Sequence, residues 1–239
     1  MVLSRITTSP LASWARNMGR RIGLNRLVSR LTRTKGYEER FGGELLKLVS
    51  AGDCVWDVGA NIGYYATQFA EKTGKGPVVA FEPVGSCYQE LVRRCGDGDR
   101  VIAVEAALGS ADGAAPMEVA DDPFSTTNRL RPGADADSGG PLVRVRRADS
   151  FAAEHPDLFP NVIKVDVEGH EGAVLDGMRA LLVDKRLRCV GFEVHFGILQ
   201  ERGEGGRPRE IQEAMEAEGF QVRWTDMSHM IGVRVTHGV

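Results

Sequence analysis

Short apolar runs alternate with amphipathic segments from residue 38 to residue 218, and this alternation most constrains how the chain can fold. Strands are predicted at 54–58, 77–81, 100–108, 161–167 and 189–196, and helices at 38–50, 62–72, 86–95, 171–183 and 208–218. Such alternation favours a parallel sheet covered by helices on both faces. The last two strands, 220–225 and 230–235, predict an antiparallel hairpin at one edge. The predicted class is α/β, with a seven-stranded, mostly parallel sheet.

The first 36 residues differ from the rest of the chain in charge. Residues 1–35 hold eight of the 30 Lys and Arg and no Asp or Glu, which leaves 22 basic against 33 acidic groups in the remainder. Apolar residues in 11–34 recur at helical spacing with arginines between them. We predict a basic amphipathic helical arm at 1–36 ahead of one domain at 37–239. The arm is read either as a cap on that domain or as a contact for an anionic partner such as a membrane surface.

Targeting signals are sparse in the sequence. No run reaches the length of a membrane span, and the N-terminus lacks the apolar core of a secretory signal. A cytoplasmic protein is expected, with peripheral membrane association as a variant. A mitochondrial transit peptide is the minority alternative, because the arm is Arg-rich and free of acids. The four cysteines form no CxxC pair, so free buried thiols are expected.

Residues 109–150 interrupt the alternation and are rich in Gly, Asp, Ala and Pro. Strand-like runs at 117–119 and 142–146 flank the richest part, residues 132–141. We predict an insertion that forms a hairpin with a flexible tip, and not a separate domain. Beside a site such a loop can act as a lid, but a plain surface hairpin explains the composition equally well.

The segment 55–63 reads as a strand, a tight turn and the start of a helix. Gly59 and Gly63 carry no Cβ, so the backbone can approach a ligand closely, and the following helix directs N–H groups towards it. A dinucleotide-binding loop needs glycine where this chain has Asn61 and Tyr64. The loop therefore argues against NAD, and no Walker lysine follows it.

The spacing Asp-x-Gly-x-Asn-x-Gly in this loop resembles the first motif of Rossmann-like methyltransferases that use S-adenosylmethionine. The resemblance implies that the acid and the loop backbone hold the methionine part of the cofactor. Glu82 ends the second strand and is placed to accept hydrogen bonds from ribose hydroxyls. Ala107 lies where such folds line the adenine. The expected cofactor-binding residues are Asp57, Gly59, Asn61, Gly63, Glu82 and Ala107.

A cluster of titratable residues follows the predicted strand 161–167. Asp166, Glu168, His170 and Glu171 lie within six positions at its end. Strand interiors favour β-branched apolar residues, so this concentration of charge marks a site.

Taken together, these segments resemble the FkbM family of methyltransferases. The matching segments are 57–63, 81–83, 107–109, 163–171 and 192–195, with Tyr37 and Glu38 ahead of them. The sequence departs from the family pattern at 147–150. The resemblance implies a class I methyltransferase fold and O-methylation of a hydroxyl on a sugar, glycolipid or natural product.

For catalysis, His170 is expected as the general base, because an unperturbed histidine titrates near neutrality. Asp166 or Glu168 would orient it or the acceptor hydroxyl. Glu193 and His195 lie two residues apart on one strand face, so they are expected to meet Asp166 at neighbouring strand ends. Asp166, Glu193 and His195 are therefore candidate Mg²⁺ ligands, and His195 is also a candidate catalytic residue. The alternative is that the acids only serve the helix N-terminus.

Several other functions stay open on the sequence. They are a non-catalytic protein that binds S-adenosylmethionine, a membrane-associated interaction protein and a small-molecule N-methyltransferase. A nucleic-acid substrate is not expected, because no aromatic stacking platform is interleaved with basic residues. The expected partner is a small molecule or glycan that offers a hydroxyl; the oligomeric state is left open.

Overall fold

The structure is a computed structural model that describes residues 38–96, 98, 100–119, 128–130 and 140–235. The chain divides into two compact units, Met1–Phe41 and Gly42–Val239, and the predicted arm at 1–36 lies outside the described residues. The helices are α1 (Glu38–Leu48), α2 (Tyr64–Thr73), α3 (Gly85–Cys95), α4 (Ala148–Glu154), α5 (Glu171–Gly177), α6 (Arg179–Val183), α7 (Phe196–Glu201) and α8 (Arg207–Ala217). No helix within the described ranges has the length and hydropathy needed to cross a bilayer.

The larger sheet has seven strands in the order β10-β11-β9-β8-β1-β2-β3. Its strands are β1 (Val55–Val58), β2 (Val78–Phe81), β3 (Val101–Val104), β8 (Val162–Val165), β9 (Cys189–Glu193), β10 (Phe220–Trp224) and β11 (His229–Arg234). Parallel pairing joins β3, β2, β1, β8 and β9, whereas β11 is antiparallel to both β9 and β10. The predicted sheet and its C-terminal hairpin are confirmed. The carboxyl ends of β1, β2, β8 and β9 share one edge, where the functional residues collect.

Strands β1, β2 and β8 are buried at every position, as expected for parallel strands covered on both faces. Trp56, Phe81 and Phe151 pack edge to face in the core, with ring centroids 5.0–5.4 Å apart. Two charged residues break this apolar pattern, Asp57 and Lys164, and they are register partners on adjacent strands.

A second sheet accounts for much of the predicted insertion. Strands β4 (Ala107–Leu108), β5 (Gly113–Glu118), β6 (Arg129–Leu130) and β7 (Leu142–Arg146) form it in the order β4-β7-β5-β6. The expected continuous strand 100–108 is wrong, because β3 ends at Val104 and β4 pairs with β7 instead. Most of the predicted tip at 132–141 lies outside the described residues.

The strand expected at 189–196 is also shorter than predicted. Strand β9 ends at Glu193. Its register partner His229 is the first residue of β11, so β11 offers β9 no paired residue beyond this point. The Val194 N–H instead donates to the carbonyl of Ser228 at 2.7 Å, and α7 begins at Phe196. The predicted helix 171–183 is divided at Met178 into α5 and α6.

Arg234 anchors the C-terminal hairpin to the rest of the domain. Its guanidinium donates to the carbonyls of Leu182, Leu187 and Glu218 and lies 4.2 Å from the ring centroid of Phe220. A guanidinium offers five donors in a fixed plane and can satisfy several helix-end carbonyls at once. Arg234 therefore ties the hairpin to the last turn of α6, to the end of α8 and to the segment before β9.

Candidate active site

A cavity opens at the carboxyl ends of β1, β2 and β8. Concave sites at the carboxyl ends of parallel strands are where open α/β sheets commonly bind their ligands. The larger sheet contributes one side and the second sheet the other. The lining residues are Val58, Gly59, Asn61, Phe81, Glu82, Pro83, Ala107, Leu108, Met117, Asn128, Leu130, Asp166, Val167 and Glu168.

The loop after β1 is shaped by backbone that most residues avoid. Gly59 has φ 79°, and a Cβ placed on it would lie 1.8 Å from the carbonyl oxygen of Asp166. Asn61 has φ 49°, a left-handed conformation that asparagine tolerates better than most residues. The loop can therefore lie directly against the end of β8, and the N–H groups of Gly59 and Ala60 both donate to the Phe81 carbonyl at 3.0 Å, which fixes the loop to the end of β2.

Glu82 is a buried carboxylate at the cavity wall. Its Oε2 accepts the Asn61 N–H at 2.8 Å, and its Oε1 accepts the Val84 N–H at 2.9 Å. Burial raises the pKa of Glu82 to about 7 in spite of these two bonds. Each carboxylate oxygen keeps further acceptor capacity, so a ligand with neighbouring hydroxyls fits here. This donor and acceptor set suits the ribose of S-adenosylmethionine.

The structure separates the predicted cofactor-binding residues into two groups. Gly59, Asn61, Glu82 and Ala107 line the cavity, whereas Asp57 and Gly63 do not. A Cβ on Gly63 would lie 2.8 Å from Leu91 Cδ1, so this glycine lets α2 pack closely against α3. The Asp57 carboxylate is fully buried beneath the loop.

Lys164 is the partner of Asp57, and the sequence interpretation missed its role. Its Nζ lies 3.1 Å from Asp57 Oδ1 and 3.4 Å from Asp166 Oδ2, and it donates to the Gly59 carbonyl at 3.2 Å. Burial alone would lower the pKa of Lys164, but the charges of Asp57 and Asp166 outweigh it and hold the pKa above its ordinary value. A lysine inside an apolar strand was the signal that could have identified it.

A second group of residues surrounds His195 at the adjoining strand ends. Its Nδ1 lies 2.6 Å from Glu171 Oε1. Its Nε2 lies 3.4 Å from Glu168 Oε2, 3.8 Å from Glu193 Oε1 and 3.9 Å from Asp166 Oδ1. Three carboxylates from β8, its following loop and β9 thus converge on one imidazole nitrogen.

Glu168 reaches this position through an uncommon backbone conformation. It has φ 45°, and Gly169 after it has φ 85°. Non-glycine residues with positive φ are uncommon and concentrate at functional sites. Burial raises the pKa of Glu168 to about 7. Its carboxyl group therefore changes charge near neutral pH at the mouth of the cavity.

The geometry includes a set of atoms that can hold a metal ion. Asp166, Glu193 and His195 each offer one ligand atom, and these atoms lie within 4.8 Å of one another. The contact between Glu171 and Nδ1 leaves Nε2 facing the carboxylates, which is the usual arrangement behind a metal-bound histidine. The sequence pattern places Glu171 in the titratable cluster but gives it no partner, and the alternative stated above is an acid at the helix N-terminus.

His170 does not join this group. It lies buried with its Nε2 3.2 Å from the Cβ position of Gly109, and it is absent from the cavity lining. Burial, together with the charge of Arg202, lowers the pKa of His170 to about 4. The structure brings together Asp166, Glu168, Glu193 and His195, whereas the residue expected as general base lies elsewhere. The helix α5 begins at Glu171, which is the residue that turns towards His195.

The fold, the cavity at the strand ends and the acidic group around His195 are together those expected of a class I, Rossmann-like methyltransferase. A Clostridium thermocellum protein that carries the description rRNA methylase aligns with a TM-score of 0.52 and 13% identity over 82% of this chain and 94% of that one, which shows the fold. The sequence profile of the Methyltransferase FkbM domain matches residues 57–222. The chain belongs to this methyltransferase family, whose methyl donor is S-adenosylmethionine.

Two curated relatives are methyltransferases. Hexuronic acid methyltransferase AglP of Haloferax volcanii is 31% identical over 158 residues, which are 64% of this chain and 61% of AglP. Methyltransferase sdnD of Sordaria araneosa is 29% identical over 198 residues, 70% of this chain and 73% of sdnD. The chain thus spans less than two thirds of the length of AglP.

Replacing Gly59 by alanine should abolish cofactor binding, because the new Cβ would overlap the Asp166 carbonyl. We expect a loss of on the order of 3 kcal/mol in unfolding free energy or more. The control is Gly52→Ala: Gly52 has φ 88° but nothing within 4 Å of its Cβ position, so only backbone strain of about 1–2 kcal/mol applies. Calorimetry with S-adenosylhomocysteine and urea unfolding measure both. Equal effects of the two substitutions would contradict the close approach.

The stability of the cofactor-free protein should fall above neutral pH. Burial alone would lower the pKa of His195, but the bond to Glu171 and the charges of Glu168 and Asp166 raise it to about 9. A raised folded-state pKa gives stability that is complete below the unfolded pKa, near 6.5, and lost as pH rises through about 9. We expect on the order of 2 kcal/mol to be lost over this window. Urea unfolding with chelator present measures it, and His195→Gln should flatten the curve; an equally steep curve in that variant would exclude His195 as the cause.

Proposed function

We propose that the protein transfers a methyl group from S-adenosylmethionine to a hydroxyl of a sugar, glycolipid or related natural product. The observation that carries the proposal is the position of Asp166 and Glu168. Both line the cavity that suits the cofactor, and both belong to the group around His195. The acidic group therefore borders the cavity proposed for the cofactor, and an acceptor bound beside that group would lie next to the methyl donor.

The cofactor half of the proposal rests on Gly59, Asn61 and Glu82. When bound, S-adenosylmethionine supplies an electrophilic methyl group on a sulfonium. Glu82 accepts from the ribose hydroxyls, the Gly59 turn admits the ligand close to the backbone, and Ala107 and Leu108 cover an apolar side. Held in line with an acceptor, the reacting groups gain from positioning, which contributes about 7–11 kcal/mol in the best-oriented cases.

The acceptor half would hold a divalent cation, with Mg²⁺ as the expected ion. Asp166, Glu193 and His195 would be its ligands, and the ion would lower the pKa of a coordinated acceptor hydroxyl. The charge of the site supports this assignment. Asp166, Glu168, Glu171 and Glu193 surround His195. Lys164 contacts Asp166 and His229 contacts Glu193, but the carboxylates still outnumber these basic groups, so a cation relieves part of their mutual repulsion.

Glu168 is the proposed general base. A general base must lie within hydrogen-bond reach of the proton it takes, and Glu168 lies at the cavity wall beside the proposed cation ligand Asp166. The Glu168 carboxylate lines the cavity and does not belong to the three-residue ligand set. This assignment replaces His170, whose buried ring lies away from the cavity.

Arg129 supports an acidic sugar as the acceptor. Its Nε is buried and has no hydrogen-bond partner within the described residues; its neighbours Asn128 and Leu130 line the cavity, whereas Arg129 itself does not. Its charge is close enough to contribute to the pKa of Glu168. A guanidinium pairs well with a carboxylate, and the relative AglP acts on a hexuronic acid.

The direct test is an acceptor screen with purified protein and S-adenosylmethionine. With sugar acceptors we expect release of S-adenosylhomocysteine and a product that is methylated on oxygen and heavier by one CH₂ group, about 14 mass units. We also expect that EDTA abolishes turnover and that added Mg²⁺ restores it. His195→Gln should lower kcat by roughly 10²-fold while S-adenosylhomocysteine affinity stays unchanged. A product methylated on nitrogen would favour the N-methyltransferase alternative. Cofactor binding without turnover would favour a binding protein, and full activity in EDTA would exclude the metal.

The acidic-sugar assignment has its own test with methyl glucuronide and methyl glucoside as paired acceptors. Arg129→Gln should lower kcat/KM for the glucuronide by about 10-fold or more, because a bidentate charged contact is lost, and leave the glucoside nearly unchanged. Arg209→Gln is the control, since Arg209 is 85% exposed on α8. An equal response to both acceptors would remove Arg129 from substrate recognition.

A further inference from the structure

The first residue of β11, directly after the hairpin turn, is a second histidine that contacts the acidic group. His229 is 2% exposed, and its Nε2 lies 3.3 Å from Glu193 Oε2. On the other side of the ring, Nδ1 lies 2.8 Å from Asp226 Oδ1. The family match ends at residue 222, so Asp226 and His229 lie beyond it.

Glu193 therefore stands between two imidazoles. Its Oε2 faces His229, whereas its Oε1 faces His195 Nε2 at 3.8 Å. A glutamate side chain has several rotatable bonds and loses substantial entropy when it is fixed. A contact at one oxygen fixes the direction of the other, which is the oxygen directed towards the proposed cation.

The turn that carries Asp226 is itself closely held. Asp226 Oδ1 accepts the backbone N–H groups of Ser228 and His229, each at 2.9 Å. The Ser228 carbonyl accepts the Val194 N–H at 2.7 Å, which joins the turn to the chain just after Glu193. Asp226 thus contacts His229, and His229 contacts Glu193. Because the turn that carries Asp226 is also bonded to Val194, both ends of this series of contacts are held at the end of β9.

We infer that Asp226 and His229 are positioning residues that hold Glu193 as a ligand for the divalent cation. The inference rests on the proposed function, because it needs the cation site of Asp166, Glu193 and His195. His229 does not itself face the ion in this arrangement. It contacts the ligand oxygen that points away, and Asp226 fixes the orientation of the ring.

The test compares two amide substitutions of His229 in the full chain. In His229→Gln the amide nitrogen takes the place of Nε2 and keeps the contact to Glu193, whereas the shorter side chain in His229→Asn takes the place of Nδ1 and loses it. The readout is Mn²⁺ affinity of chelator-treated protein, measured by calorimetry and by electron paramagnetic resonance without cofactor or acceptor. Removing a contact behind a metal ligand typically costs about 10–100-fold in affinity.

We expect one Mn²⁺ bound by the natural protein, about 10-fold weaker binding or worse in His229→Asn, and affinity within about 3-fold of the natural protein in His229→Gln. Should His229→Asn fail to fold, Asp226→Asn replaces it, with an expected loss of about 3-fold or more because the ring loses its charged acceptor.

The possible failures point to different parts of the argument. Unchanged Mn²⁺ affinity in His229→Asn or its replacement overturns the inference alone, and so does an equal loss in His229→Gln. Absence of Mn²⁺ binding by the natural protein overturns the cation site proposed above, and this inference with it.

Discussion

The buried ammonium group of Lys164 is the interaction on which the rest of the site depends. It joins β1, through Asp57, to the end of β8, through Asp166, and it also holds the Gly59 carbonyl. An unpaired charge in this position would be costly, so all of these partners must be in place together. One contact therefore fixes both the cofactor loop and the first carboxylate of the acceptor side, and the distance between the two halves follows from it.

Much of the fold was predictable because parallel strands leave a simple pattern. The continuous apolar runs of β1, β2 and β8 and the turn before β11 indicated the sheet, and the spacing of Gly59 and Asn61 indicated the loop that lines the cavity. The residues at which strands end were harder to predict. Alternation continues through Val194, but pairing stops at Glu193 because β11 starts at His229, and sequence pattern alone does not show where a partner begins.

The acceptor side shows the same limit at the level of single residues. His170 and Glu171 are adjacent, and local sequence favours neither; the start of α5 turns Glu171 towards His195 and leaves His170 buried near Gly109. His229 is separated from Glu193 by 36 positions and comes beside it only through antiparallel pairing. Lys164 was visible as a charge in an apolar strand, but its meaning required knowing that Asp57 lies opposite.

The clamp made by Arg202 has a consequence for how such a protein can change its specificity. Its guanidinium donates to the Leu130 carbonyl in β6 at 2.7 Å and to the Gly169 carbonyl beside Glu168 at 2.8 Å. The edge of the second sheet is thereby tied to the acceptor side, while Glu82 and the Gly59 turn belong to the larger sheet. Within the second sheet, β4 contributes Ala107 and Leu108 to the cavity wall near Glu82, whereas β6 is the strand tied to Gly169. Substitutions in β6 can then change what binds beside Glu168 while β4 is kept, so one small sheet has a constrained strand and a strand that can vary.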